Sequence, residues 1–191
     1  MRLWTIQPEK VFQEIQDTGV YRCDIEQSSK NWMMQYDWLV SEMKKRIGLP
    51  PSGVEYPVWA WKSWQKGRIM PDLRAERWYY GRKNHVFFRL EIEIPDEKVL
   101  LSDFDAWGII LNEDWLSDTE EEDRGIEKIY KSLSPAKQKE MLNENWQRVF
   151  DITPFENGWI ERGYSVQATF WELKKEQIRK VKKFISVSKY S

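Results

Sequence analysis

The chain of 191 residues is short of the side chains that most often carry chemistry. It has one cysteine, Cys23, and one histidine, His85. A single thiol excludes an intramolecular disulfide and a redox pair, and together with a single imidazole it leaves no zinc-ribbon ligand set. Catalysis of the Ser–His–Asp or Cys–His kind would have to run through His85 alone, which stands at the start of a strand-like run. Its bland reading is a partly exposed strand-end residue. The nine glycines are scattered, and none forms a phosphate-cradling loop between a strand and a helix. No apolar run approaches the ~20 residues needed to cross a bilayer. The opening Met1-Arg2-Leu3-Trp4-Thr5-Ile6-Gln7-Pro8 lacks the apolar core of a signal peptide. No charge of one sign dominates either, with 30 basic against 31 acidic residues, so no global field steers the protein to nucleic acid or membrane. These absences predict a cytoplasmic protein with no membrane partner and no metal site.

What is abundant is aromatic surface: 12 tryptophans, 8 tyrosines and 8 phenylalanines. One reading places them in the core, as large bodies with polar tips. The other makes some of them stacking surfaces for nucleobases or for the rings of a dinucleotide. The length predicts a single domain over residues 1–191, burying roughly 70% of its unfolded surface without a disulfide or metal.

Read along the chain, the pattern predicts an α+β fold, a mixed or antiparallel sheet with flanking helices. Leu3 to Gln7 reads as a strand. Pro8 suits a helix start, Val11, Phe12 and Ile15 share a face, Gly19 ends the helix, and Val20 to Ile25 returns as a strand. Ser28 or Ser29 caps a second helix, whose stripe of Trp32, Tyr36, Leu39, Val40, Met43 and Ile47 stops at Gly48. Such a stripe is core far more often than a cofactor box. Val54 to Trp64 reads as extended, and 65–84 as a long loop with one helical turn near Asp72. His85 to Ile94 alternates, and with Val99-Leu100-Leu101 it predicts a hairpin around Pro95-Asp96-Glu97. Ser102 or Asp103 caps a short helix. The acidic stretch 118–123 opens another, with Ile126, Ile129, Tyr130 and Leu133 inward, and Ser134-Pro135 starts a third. Tyr164 to Leu173 reads as one strand, with Gln167 and Glu172 on opposite faces. Lys174 to Ile185 reads as a basic amphipathic helix.

Two basic regions invite a functional reading. The loop over 62–83 interleaves Trp61, Trp64, Trp78, Tyr79 and Tyr80 with Arg68, Arg74, Arg77 and Arg82, and aromatic faces beside guanidinium groups bind flat rings and phosphates together. The closing segment, with Lys174, Lys175, Arg179, Lys180, Lys182 and Lys183, is a phosphate contact or a solvated face.

The landmarks Trp4-Thr5-Ile6-Gln7-Pro8, Tyr21-Arg22-Cys23-Asp24, Val58-Trp59-Ala60-Trp61, Pro71-Asp72-Leu73-Arg74, Leu100-Leu101-Ser102-Asp103-Phe104 and Phe170-Trp171-Glu172-Leu173 resemble a small uncharacterised bacterial family. At fold level the order of elements is similar to ADP-ribosyltransferases. Leu3 to Tyr21 then stands for the strand, glycine-ended helix and short strand that grip nicotinamide. That resemblance implies NAD as cofactor and a catalytic Gln167 or Glu172 that orients the nicotinamide ribose. It places Thr5, Gln7, Arg22, Trp59, Trp61, Arg68, Asp72 and Arg74 around the dinucleotide, with Arg22, Arg68 and Arg74 on its pyrophosphate. The first strand departs from the pattern, with Trp4, Thr5 and Gln7 where those enzymes carry histidine or arginine. Thr5-Ile6-Gln7-Pro8 followed by Gly19 to Arg22 also resembles the opening of ASCH and PUA domains, which implies an RNA or modified-base partner. A third expectation is a non-catalytic protein-interaction domain.

Overall fold

The computed structural model describes residues 1–23, 32–64, 69–73, 84–156, 158 and 161–187. The strands are β1 (Arg2–Pro8), β2 (Val20–Arg22), β3 (Val58–Ser63), β4 (Val86–Glu93), β5 (Leu100–Asp103), β6 (Val166–Phe170), β7 (Glu172–Lys174) and β8 (Ile178–Ile185). The helices are α1 (Glu9–Thr18), α2 (Met33–Ile47), α3 (Phe104–Leu111), α4 (Glu120–Ser132) and α5 (Pro135–Asn145), the last followed by a 3-10 turn over Trp146–Phe150. Six strands pair antiparallel in the order β5-β6-β3-β1-β4-β8, and β2 pairs with β7 in a separate two-stranded sheet. The fold is α+β, as the alternating and helical periods predict. No helix of the described residues is long and apolar enough to cross a membrane.

Each face of the large sheet closes over its own core. On one face Val11 and Ile15 of α1 meet Leu3, Val58, Ala60, Leu90, Ile92, Ala168 and Phe170. On the other, Leu39, Val40, Met43 and Ile47 of α2 meet Leu100, Trp107, Leu142 and Trp146. Strand alternation sends neighbouring residues to opposite faces, so Val58 and Ala60 serve the first core while Trp59 leans on the second. Helix α1 ends where expected. Gly19 adopts φ +83° and its N–H reaches Ile15 O at 3.0 Å, a left-handed C-terminus that costs glycine nothing. Of the two candidate caps, Ser102 and Asp103, it is Asp103 that caps α3, by accepting the Ala106 N–H.

Several expectations fail, each because a non-local contact overrides a local pattern. Lys174 to Ile185 is not a helix; after a 3-10 turn at Lys175–Gln177 it is edge strand β8, laid along β4 from Ile92↔Ile178 to Val86↔Ile185. Its apolar residues satisfy a ladder as well as a helix stripe. Its cations pair with neighbouring carboxylates, Arg179 with Glu93 at 2.9 Å, Lys180 with Glu91 at 3.4 Å and Lys183 with Glu9 at 3.5 Å. Lysines on an exposed edge also discourage strand addition. The strands β4 and β5 form no hairpin: a 3-10 turn over Asp96–Lys98 redirects the chain, and β1, β3 and β6 lie between them. Tyr164 to Leu173 is two strands. The break falls at Trp171, whose indole N–H donates to Gly48 O at 2.9 Å and whose ring joins the α2 core, while Phe170 and Leu173 stay in the other. Gln167 and Glu172 thus belong to different sheets. Helix α4 lies at the periphery with no buried residue, and Ile129 is 54% exposed. Its acidic start is instead an ion-pair node. Asp118 receives Arg148 at 2.6 Å and Arg162 at 2.5 Å, and Arg148 also reaches Glu122 at 2.7 Å. The capping serines 28 and 29, and most of the 65–84 loop, lie outside the described residues.

Candidate ligand-binding cleft

The centre of the sheet does not close. Strand β1 pairs with β4 along its whole length, from Arg2↔Glu93 to Pro8↔Phe87, but its ladder with β3 reduces to Trp4↔Trp61. Beyond Trp4 the two strands part, and a cavity of about 500 Å³ occupies the opening. That volume falls in the range of small-molecule sites. Thr5, Ile6 and Gln7 of β1 line it on one side and Val58 to Trp61 of β3 on the other. Tyr21 and Cys23 come from the β2 end, Trp32 and Tyr36 from the start of α2, and Gln167 from β6.

Side chains bridge the gap where the ladder stops. The Thr5 hydroxyl, on a residue 2% exposed, donates to Trp59 O at 2.8 Å, and the Gln7 amide donates to Thr5 Oγ1 at 2.8 Å. The aromatic wall is keyed edge to face: Tyr36 lies 6.4 Å from Tyr56, 6.1 Å from Trp59 and 5.8 Å from Trp107, each near perpendicular. Burial, then the neighbouring Cys23, pushes the Tyr36 phenol above its ordinary pKa. Burial also lifts the Tyr56 phenol, and with its hydrogen bond to Asp37 at 2.9 Å carries it to about 12. Both phenols therefore stay neutral at any physiological pH.

Gln167 closes the far end. It sits opposite Trp61 on one side and Ser102 on the other, one row across β5, β6 and β3. Its carbonyl Oε1 is buried without a hydrogen-bond partner, and so are Ser102 Oγ in the same row and Trp4 Nε1, opposite Trp61. A buried polar atom left unpaired costs about 1–3 kcal/mol, and since Gln167 lines the cavity its carbonyl is one that a ligand there would relieve.

Five of the expected site residues come together here: Thr5, Gln7, Trp59, Trp61 and Gln167. Strands β1 and β6 are not neighbours, because β3 lies between them; residues of both line the cavity, Gln167 in the row of Trp4 and Trp61, and Thr5 and Gln7 further along β1. Arg22 and Glu172 are elsewhere. They pair with each other at 3.3 Å across the small sheet, and Glu172 also takes Lys174 at 3.3 Å. Glu172 lines a separate hollow of about 340 Å³ beside Trp171 and Lys98. Asp72 is half-buried next to Pro71, whose carbonyl accepts from Arg89 at 2.7 Å, and does not line the cleft. Arg68 and Arg74 lie outside the described residues. His85 is exposed just before β4 and is not in the lining. Among the described residues, none that lines the cleft carries a charged side chain.

The sequence reading missed Tyr36, Tyr56, Cys23 and Trp32. Tyr36 was visible as part of the α2 stripe, but a helical period is the same whether a face meets a core or a cleft.

Residues 2–179 match the model of a family described as a domain of unknown function, DUF3841. No curated protein and no solved structure matches the chain.

Proposed function

The chain belongs to the DUF3841 family, and we propose that it binds a nucleotide through its flat ring in the β1–β3 cleft, with NAD as the first ligand to test. The observation that carries this reading is the unpartnered Gln167 carbonyl at the end of an aromatic-walled cavity. Aromatic side chains supply stacking surface, worth about 1–3 kcal/mol per base where rings stack fully. Gln167 supplies an acceptor for a ribose hydroxyl or a ring amide. The Thr5 hydroxyl ties the β1 wall to β3, and the Gln7 amide donates to Thr5 along the same strand.

ADP-ribosyltransferase-like chemistry asks for more than binding. NAD would supply the labile bond between nicotinamide and ribose, and Gln167 would orient that ribose. The pyrophosphate needs cations, which on this reading come from Arg68 and Arg74. No carboxylate faces the cleft among the described residues to take a proton from an acceptor. The geometry supports binding further than it supports glycosyl transfer.

Titration of NAD against intrinsic tryptophan fluorescence, with melting curves alongside, tests the reading. At a hundredfold excess over Kd, binding stabilises by about 2.7 kcal/mol, which for this size is a rise of roughly 5–11 °C. Trp61→Ala and Gln167→Ala should each weaken it, and nicotinamide release measured by chromatography reports on chemistry separately. An unchanged melting curve at millimolar NAD sinks the proposal. The neutral lining favours a second reading, capture of a modified base in the manner of ASCH or PUA domains. Nucleosides binding where NAD does not would select it.

A further inference from the structure

We propose, on the reading that the cleft takes a flat ring, that it selects a positively charged heteroaromatic ring over a neutral one and excludes an anionic one. The ligand class is a pyridinium or an N-methylated base. Two independent features of the lining point the same way.

The first is the direction of the hydrogen bonds that run from Gln7 through Thr5 to β3. Trp59 O is a carbonyl and only accepts, so the Thr5 hydroxyl hydrogen 2.8 Å away is committed to it. The Thr5 oxygen is then left to accept. The Gln7 group facing it at 2.8 Å must therefore be the NH2, and the Gln7 carbonyl is turned away from it. Gln7 and Gln167 both line the cavity, and the buried carbonyl of Gln167 has no hydrogen-bond partner. The relay thus fixes which end of the Gln7 amide remains for a ligand, and it is the end carrying partial negative charge.

The second is the wall itself. Among the described residues, Trp59, Trp61, Tyr36 and Tyr56 line a cavity that includes no Lys, Arg or His to attract an anion to the ring and no Asp or Glu to hold a small hydrated cation. Aromatic faces attract cations, most strongly when the site is dry. Both phenols stay protonated, so the wall keeps this character across the physiological range. A ring that carries its charge delocalised, and stacks while it does so, suits both features.

Calorimetric titration of the full chain with 1-methylnicotinamide, nicotinamide and nicotinate reads the preference without any mutation. The expected order follows that sequence, with the cation roughly tenfold or more tighter than the anion. A parallel pair, 7-methylguanosine against guanosine, tells a base-type ligand from a pyridinium. Thr5→Val cuts the relay, frees the Gln7 amide to turn, and should reduce the cation-to-anion ratio severalfold. Gln167→Glu sets a carboxylate in place of the orphan carbonyl and should raise it. Nicotinate binding as well as 1-methylnicotinamide overturns this inference and leaves ring binding standing, as does a ratio that neither variant moves. Failure of every ring to bind removes the nucleotide reading and this inference together.

Discussion

Replacing Asp103 by asparagine tests whether one buried carboxylate holds the edge of the sheet that carries Gln167. Asp103 ends β5 with no exposed surface. Its Oδ1 accepts from Ala106 N at 2.9 Å and caps α3, while Oδ2 accepts from Gly163 N at 2.6 Å and fixes the turn that leads into β6. Asparagine keeps one acceptor, so the helix cap survives, but it must set an NH2 against the Gly163 N–H. A hydrogen bond to a charged group contributes about 1.5–3 kcal/mol, and a buried donor left unpaired costs about 1–3 kcal/mol. The two overlap, so the expected loss is about 3 kcal/mol. For a chain of this length that is a fall in Tm of roughly 6–12 °C. Urea unfolding should show a lower midpoint at unchanged slope. The neighbouring Asp105 is the control. Partial burial, then the charges of Asp103 and Glu161, raises its pKa above the ordinary aspartate value, so the fold disfavours its ionised form. Asp105→Asn should leave stability level or slightly higher at neutral pH, and that gain should vanish once the carboxyl is protonated in folded and unfolded chains alike. An Asp103→Asn loss under about 1 kcal/mol would refute the reasoning, since the Gly163 N–H would then have another partner.

Three further outcomes follow from particular contacts. Gly163→Ala should be far more damaging than Gly19→Ala: both have φ above +80°, but a Cβ at 163 would lie 2.6 Å from Pro154 N and 2.7 Å from Ile152 O, whereas that at 19 meets nothing within 4 Å. Backbone strain alone at Gly19 costs about 1–2 kcal/mol, and melting curves of the pair separate strain from clash. Burial works to raise the Glu122 pKa, but hydrogen bonds from Arg148 and the Asp118 N–H outweigh it and leave it below the ordinary glutamate value. Its stabilisation is therefore present above the unfolded pKa and lost as pH falls through the folded one. Glu122→Gln should flatten that acid limb, and an unaltered limb would show the contact to be inert. Leu90→Ala, at a site with no exposed surface in the central strands, should cost about 2–5 kcal/mol in the same urea assay.

Much of the cleft was legible as residue types without their arrangement. Thr5, Gln7, Trp59, Trp61 and Gln167 were singled out by the resemblance of the element order to ADP-ribosyltransferases. What made them one site is a ladder between β1 and β3 that stops after Trp4↔Trp61. Glu172 looked as eligible as Gln167 while both sat on one imagined strand. Trp171, drawn out of line by Gly48 O, divides them and hands Glu172 to Arg22.

The amino-acid order by itself determined what short-range physics decides: the stripe of α2, the glycine end of α1, a polar cap at 102 or 103 for α3, the proline start of α5 and the alternation of β4. Each depends on neighbours within about four residues along the chain, where period and capping chemistry suffice. Tertiary structure alone decided that Lys174 to Ile185 is strand rather than helix, that β4 and β5 are parted by three strands, and that the sheet opens at its middle. Those outcomes turn on which distant strand offers a ladder and which core an aromatic ring enters. An isolated segment such as Ile178–Ile185 satisfies either period equally well until β4 lies beside it.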